Sequence, residues 1–350
     1  RRATGYLRHA TREPGLQRVA ALAAALSAGA AAVRLGKQRG PFVLDGRHPD
    51  RRFELSPSAA LDAELVRVAE GQLQDIFDHL AHHRGAVTEK AVHESRKSIK
   101  RLRAMTRLLR DELGPEAYVL ENGTLRDAAA RLAGARDAEV LLKTLDSIRA
   151  KFPAGAQPDG VRALRAQLLD QRARASERLL SDAQAVQGAL YDLYSVQVRV
   201  PGWVGQQADF DVLAPGLRRI YRQGRDRYRL ARADPSIEHL HDWRKRVKDL
   251  RHAAELLAPA NRAGIGSLAR RADKLGELLG EDHDLAVLGE VVACRRELFA
   301  TPRDSERLQR LIEVRRERVQ ERALKAGAKL YRRGPSKFLG RLERDWRRAG

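Results

Sequence analysis

The sequence predicts an all-α protein built from two similar halves. Three observations predict it. Apolar residues recur at helical spacing along most of the chain, prolines stand where that spacing restarts, and one stretch of basic helix occurs twice. The two copies are HESRKSIKRLR from His93 and HDWRKRVKDLR from His241. His93, Arg96, Lys97, Lys100 and Arg103 map onto His241, Arg244, Lys245, Lys248 and Arg251 at a constant offset of 148 residues. On a helix these positions form one cationic stripe. Val92, Ile99, Leu102 and Leu109 in the first copy, and Leu240, Val247, Leu250 and Leu257 in the second, form an apolar stripe beside it. Each helix is therefore expected to pack on one side and present charge on the other.

The elements follow in order. Residues 1–52 are rich in Arg, Gly and Ala, have no counterpart in the second half, and are read as a mobile appendage. Within them the uncharged run from Val19 to Val33 is short and dominated by Ala, which fits a marginal helix better than a membrane span. From there on, Pro57, Pro115, Pro215, Pro235, Pro302 and Pro335 each stand where a helix would start. A long helix is expected from about Asp159 to Tyr194 and another from Pro302 to Arg333. VQVRVPGWVG around Val198 alternates like a strand, but its Pro201 and Gly202 make it a better linker. The reading divides the chain into 53–200 and 201–350, four helices on each side, each half large enough to bury its own core.

The repeat continues downstream. LRDAAARLAGARDAEVLL around Asp137 returns as LARRADKLGELLGEDHDLAVLG around Asp284, offset by 147. With its paired HxxRK signatures and paired RD and HD segments, the chain resembles the CHAD family, named for a histidine-containing α-helical domain, over roughly residues 53 to 345. The resemblance implies two four-helix bundles related by pseudo-twofold symmetry. It also implies noncatalytic binding of inorganic polyphosphate and residence at polyphosphate granules.

Composition points the same way. A net charge of +21 on 350 residues favours a polyanionic partner, because such an excess otherwise costs self-repulsion. Cys294 is the single cysteine, so no disulfide or thiolate metal site forms within one chain, and a cytoplasmic location is expected. No GxxxxGKS loop occurs, so phosphate must be held by side chains. Arg grips phosphate oxygens with a planar fork and Lys supplies a mobile point charge.

The expected polyphosphate-binding residues are the two sets of five above together with Arg107. A further stripe of Arg218, Arg222, Arg225 and Arg229 precedes the second signature and should bias binding toward the second half. His93 and His241, each beside several cations, are expected to be neutral until an anion arrives. Asp137 and Asp284 are expected to orient cations, with Arg136 and His283 in matching places before them. The cluster His79, His82 and His83 is read as solvated, and Glu281, Asp282 and Asp284 as capping or local ion pairing; no metal and no cofactor is expected. Trp203 and Trp243 are read as packing anchors, while Tyr221 and Tyr228 are left open between packing and stacking.

Three function classes compete. Noncatalytic polyphosphate binding comes first. Nonspecific nucleic-acid binding is second, because counterion release would drive it too, although aromatics are only 5% of the sequence and no RNP-type or helix-turn-helix signature stands out. A polyphosphate-processing enzyme is third; it needs a metal-binding carboxylate set or an activated nucleophile, and no ExExK motif occurs. No catalytic residue and no membrane partner is expected.

Overall fold

A computed structural model describes residues 51–81, 87–133, 136–153 and 159–350. Residues 1–50 with the Ala-rich run, His82 and His83, and the Arg136 side chain lie outside the described residues. Among the described residues there are eleven α-helices and no strand. In chain order these are α1 (Leu61–Leu80), α2 (Glu89–Leu108), α3 (Arg110–Arg131), α4 (Arg136–Lys151), α5 (Asp159–Ser181) and α6 (Ala183–Arg199). After residue 200 come α7 (Ala214–Ala233), α8 (Ile237–Leu257), α9 (Ile265–Cys294), α10 (Pro302–Leu330) and α11 (Pro335–Ala349). The signature helices are α2 and α8.

Helix starts follow local chemistry. Thr88 accepts from the Ala91 amide at 3.1 Å and Ser236 from the His239 amide at 3.3 Å, so α2 and α8 are capped by the same device at the same offset. Pro215, Pro302 and Pro335 sit in the first turns of α7, α10 and α11, where their missing N–H costs nothing. Pro115 follows Gly114, whose φ of 77° kinks α3. The apolar stripes predicted on the signature helices are buried at all eight positions.

Four helices were expected on each side of residue 200, whereas the described residues hold six before it and five after it. The helix expected from Asp159 to Tyr194 divides at Asp182, whose carboxylate accepts from the Ala185 amide at 2.8 Å and starts α6. The stretch repeated in the continuous α9 is likewise divided into α3 and α4. Residues Val200–Gly202 form a 3-10 turn, with Trp203 buried just beyond it.

In the first half α1 packs on α2, α2 on α3, α3 on α6 and α6 on α1. In the second half α7 packs on α8 and α11, and α8 on α9. The buried apolar residues form two clusters, and neither stops at residue 200. The larger runs through helices of both halves. The smaller joins Leu145 of α4 and Leu164 of α5 to Leu288 and Val292 of α9 and Leu308 of α10. The expectation that each half buries its own core is thus corrected: α4 and α5 complete their apolar faces on α9 and α10. Where α2 meets α8, the buried Asp249 accepts from Arg107 at 2.9 Å and pairs with Arg246 at 3.1 Å. A Cβ on Gly216 would fall 1.9 Å from the Leu108 carbonyl oxygen, so glycine is what lets α7 approach the end of α2. No helix among the described residues is long and apolar enough to cross a membrane.

Candidate anion-binding cleft

Close packing of α8 on α9 builds the site. A Cβ on Gly276 would meet Val247 at 3.8 Å, and one on Gly280 would meet the Arg244 guanidinium at 3.3 Å. Glycine at 280 therefore leaves room for Arg244 to lie across α9. Beside this contact opens a cleft of about 650 Å³, lined from α8 by Arg244, Lys248 and Arg251. Lys143 and Lys151 reach it from α4, Arg315 from α10, and Asp273, Glu277, Glu281 and Asp284 from α9. Six cationic side chains thus face four acidic ones, an excess of two positive charges.

Several of the carboxylates hold cations in place. Asp273 stands 2.6 Å from Arg251, which also meets Glu255 at 2.7 Å. Glu281 binds Arg315 at 2.5 Å and Lys151 at 3.2 Å. Burial works against the Glu281 carboxylate, but the hydrogen bonds from Arg315 and Lys151 prevail and hold its pKa below the usual range. Asp282, almost fully buried, accepts from Gln320 at 2.8 Å and pairs with Arg316 at 3.3 Å. Glu281 and Asp282 thereby rivet α9 to α10, in line with the local ion pairing expected of them. Asp284 lines the cleft beside Arg244 and Lys248, whereas Asp137 is exposed in the first turn of α4 and does not line it.

Beside the cleft two imidazoles lie against each other. His241 and His283 have ring centroids 4.6 Å apart at an interplanar angle of 33°. Burial depresses the His241 pKa first, and Lys245, His283 and Arg244 depress it further against a small opposing pull from Asp242. Burial likewise lowers His283, followed by Arg244 and Lys248, with Glu290 opposing. The Nδ1 atoms of both are buried without a hydrogen-bond partner among the described residues. Two extra charges would join the cleft's surplus if both rings took protons.

The first signature is used differently. Arg96 donates from Nη1 to the carbonyls of Ala129 at 3.0 Å and Leu132 at 2.9 Å, satisfying the open end of α3. Lys97 pairs with Glu94 at 2.8 Å, as Lys245 pairs with Asp242 at 3.0 Å. His93 is half-buried and Lys100 exposed. Arg103 donates to Asn122 at 3.2 Å, and burial followed by the charges of Arg107 and Arg126 lowers its pKa. None of these five lines the cleft. Arg107, expected at the binding surface, is committed to Asp249 at the junction of the halves.

The α7 stripe lies apart from the cleft. None of Arg218, Arg222, Arg225 and Arg229 lines the cleft. Arg218, Arg222 and Arg229 are exposed, and Arg229 sits 3.6 Å from Asp226. Tyr221, Tyr228 and Trp243 are buried, which decides the open tyrosines in favour of packing. His79 lies 2.5 Å from the Asp75 carbonyl, and no group of three or more potential metal ligands forms among the described residues.

Four residues in or beside the cleft were not singled out as binders: Lys143, Lys151 and Arg315 in its lining, and His283 next to it. The first three come from helices without a signature, and only the fold brings them to α8. His283 had a sequence signal in the HD segment, and Gly276 and Gly280, one turn apart, mark the close approach.

Residues 68–293 match the CHAD domain family. The fold is similar to that in the crystal structure of the CHAD domain from the plant Ricinus communis, at 19% sequence identity and a TM-score of 0.51, covering 85% of this chain and 98% of that one. At this identity the likeness concerns the fold alone. No curated protein matches the chain.

Proposed function

Because the chain belongs to the CHAD family, we propose that it binds inorganic polyphosphate without catalysing its turnover, holding the polymer in the cleft between α8 and α9. The observation that carries this reading is the convergence of Arg244, Lys248 and Arg251 with Lys143, Lys151 and Arg315 in one concave site. A phosphate chain carries charge at every unit, and such a site offers forked and point-charge donors together. The acids support binding rather than hydrolysis: Glu281 and Asp273 hold Arg315, Lys151 and Arg251, so they orient cations as Asp284 was expected to do. The same reading includes an internal duplication into two four-helix groups related by a pseudo-twofold axis. Supporting this are the offset of 148 between the signatures and the shared order of capped helix, signature and following helix. It also includes residence at cytoplasmic polyphosphate granules.

Competition between long polyphosphate and single-stranded DNA at matched phosphate concentration tests it. The protein should prefer polyphosphate, and the log-log salt dependence should have a slope of roughly −0.7 per phosphate contact. Equal competition would favour the nucleic-acid reading. A slope near zero would remove the electrostatic account altogether.

A further inference from the structure

A second basic concavity lies away from the cleft. Arg271 of α9, Arg332 and Arg333 of the turn between α10 and α11, and Arg341 of α11 gather around a pocket of about 140 Å³. The one carboxylate in its lining is Asp345, 3.8 Å from Arg341. Arg271, Arg332 and Arg333 have no carboxylate within ion-pair distance among the described residues. Burial lowers the pKa of Arg271, and Arg332, Arg333 and Arg341 lower it further, as expected where like charges crowd without an anion.

The crowding is built into the fold. The Tyr221 hydroxyl contacts the carbonyls of Leu330 at 3.3 Å and Arg333 at 3.1 Å, and its ring stacks on Phe338 with centroids 3.9 Å apart. Tyr221 and Phe338 are buried, so the turn carrying Arg332 and Arg333 is anchored before any ligand arrives. Preorganised donors of this kind lose little freedom on binding. Helix α7 reaches the same place, since its Tyr221, one turn before Arg225, lines the pocket. Arg218 to Arg229 covers about 16 Å of helix at 1.5 Å per residue, and three of its four arginines are exposed.

We infer that Arg271, Arg332 and Arg333, continued by the α7 row, form a second site for a linear chain of linked phosphates, sharing no residue with the cleft. The small pocket takes one short stretch of the chain, and the α7 row carries its continuation. With two such sites, one protein molecule joins two polyphosphate chains or two segments of one chain.

Isothermal titration of the full chain with tripolyphosphate tests this, with orthophosphate as competitor. The wild type should show two sites. Arg271→Gln/Arg332→Gln/Arg333→Gln should leave only the cleft and reduce the salt slope for long polyphosphate by about 2, three contacts at roughly 0.7 each. Arg244→Gln/Lys248→Gln should leave only the pocket. The matching triple change to Lys keeps charge while removing the fork, and should weaken the pocket without unfolding the protein. Unchanged stoichiometry and salt slope in the triple Gln variant, with any wild-type binding retained there, would overturn the inference. So would displacement by orthophosphate at equal concentration, which would make the pocket a single-phosphate site. Loss confined to the pocket variant, with the cleft variant unaffected, would uphold this site while removing the cleft from the proposed function.

Discussion

Arg96 and Arg244 occupy the same place in the two signature helices, yet they meet different surroundings. Arg96 donates to the last carbonyls of α3, where the helix ends. Arg244 lies over Gly280, where α9 continues beside the cleft. Four residues beyond each signature's last arginine the charge changes sign: Arg107 follows Arg103, whereas Glu255 follows Arg251 and pairs with it. A third contrast lies deeper. Glu121 and Arg199 form a buried pair between α3 and α6, with side chains 1% and 3% exposed. In the second half the buried pair of Asp282 and Arg316 joins α9 to α10 instead. A repeated sequence thus supplies the same cations twice, and the neighbours decide whether they close a helix or face a ligand.

The buried pair gives the largest expected effect. Glu121→Ala leaves the Arg199 guanidinium desolvated and alone, and should cost about 3–5 kcal/mol of stability in denaturant unfolding. The double change Glu121→Leu/Arg199→Met should recover most of that loss, because apolar replacement of both partners is often neutral. If the double variant were no more stable than Glu121→Ala, the loss would not come from the uncompensated Arg199 charge.

Next in size is the arginine contrast. Arg96→Gln should cost about 2 kcal/mol through its lost bonds to the α3 carbonyls, with little change in polyphosphate affinity. Arg244→Gln should do the reverse. Unfolding and binding titrations on both variants separate the roles, and matching behaviour of the two would erase the comparison.

The smallest effect belongs to the histidines. His241 and His283 are depressed below the usual imidazole pKa, so both are neutral at pH 7 in the free protein. A bound polyanion raises both pKa values, protons are taken up on binding, and affinity should rise by a few fold as pH falls from about 8 to about 6. Stability of the free protein runs the opposite way, declining as pH drops below about 6.5, because the unfolded imidazoles protonate first. His241→Gln/His283→Gln should flatten the binding profile, measured with long chains that have few titrating ends. A wild-type slope in this variant would make the pair structural.

Much of this was legible in the sequence, because helical periodicity and the repeated signature are local signals. The buried face of α2 and α8 and the prolines at the starts of α7, α10 and α11 follow from residues a few positions apart. What was not legible depends on long-range geometry. Arg107 reads as one more cation in a stripe until α8 brings Asp249 against it. The α7 row reads as a partner of the second signature until packing sets Tyr221 of the same helix against the Arg333 carbonyl. Lys143, Lys151 and Arg315 carry no pattern of their own, and only the shared core of α4, α5, α9 and α10 delivers them to the cleft. The number of helices was misjudged because the breaks at Asp182 and between α3 and α4 interrupt stretches whose apolar period continues.

Titration of long polyphosphate into two quadruple variants tests the central claim most directly. One neutralises Arg244, Lys245, Lys248 and Arg251, and the other Arg96, Lys97, Lys100 and Arg103. With folding checked by thermal melting, the first should lose most of its affinity and remain folded, while the second should bind nearly as the wild type and melt earlier. Equal losses of affinity in the two would contradict a cleft centred on α8 and α9.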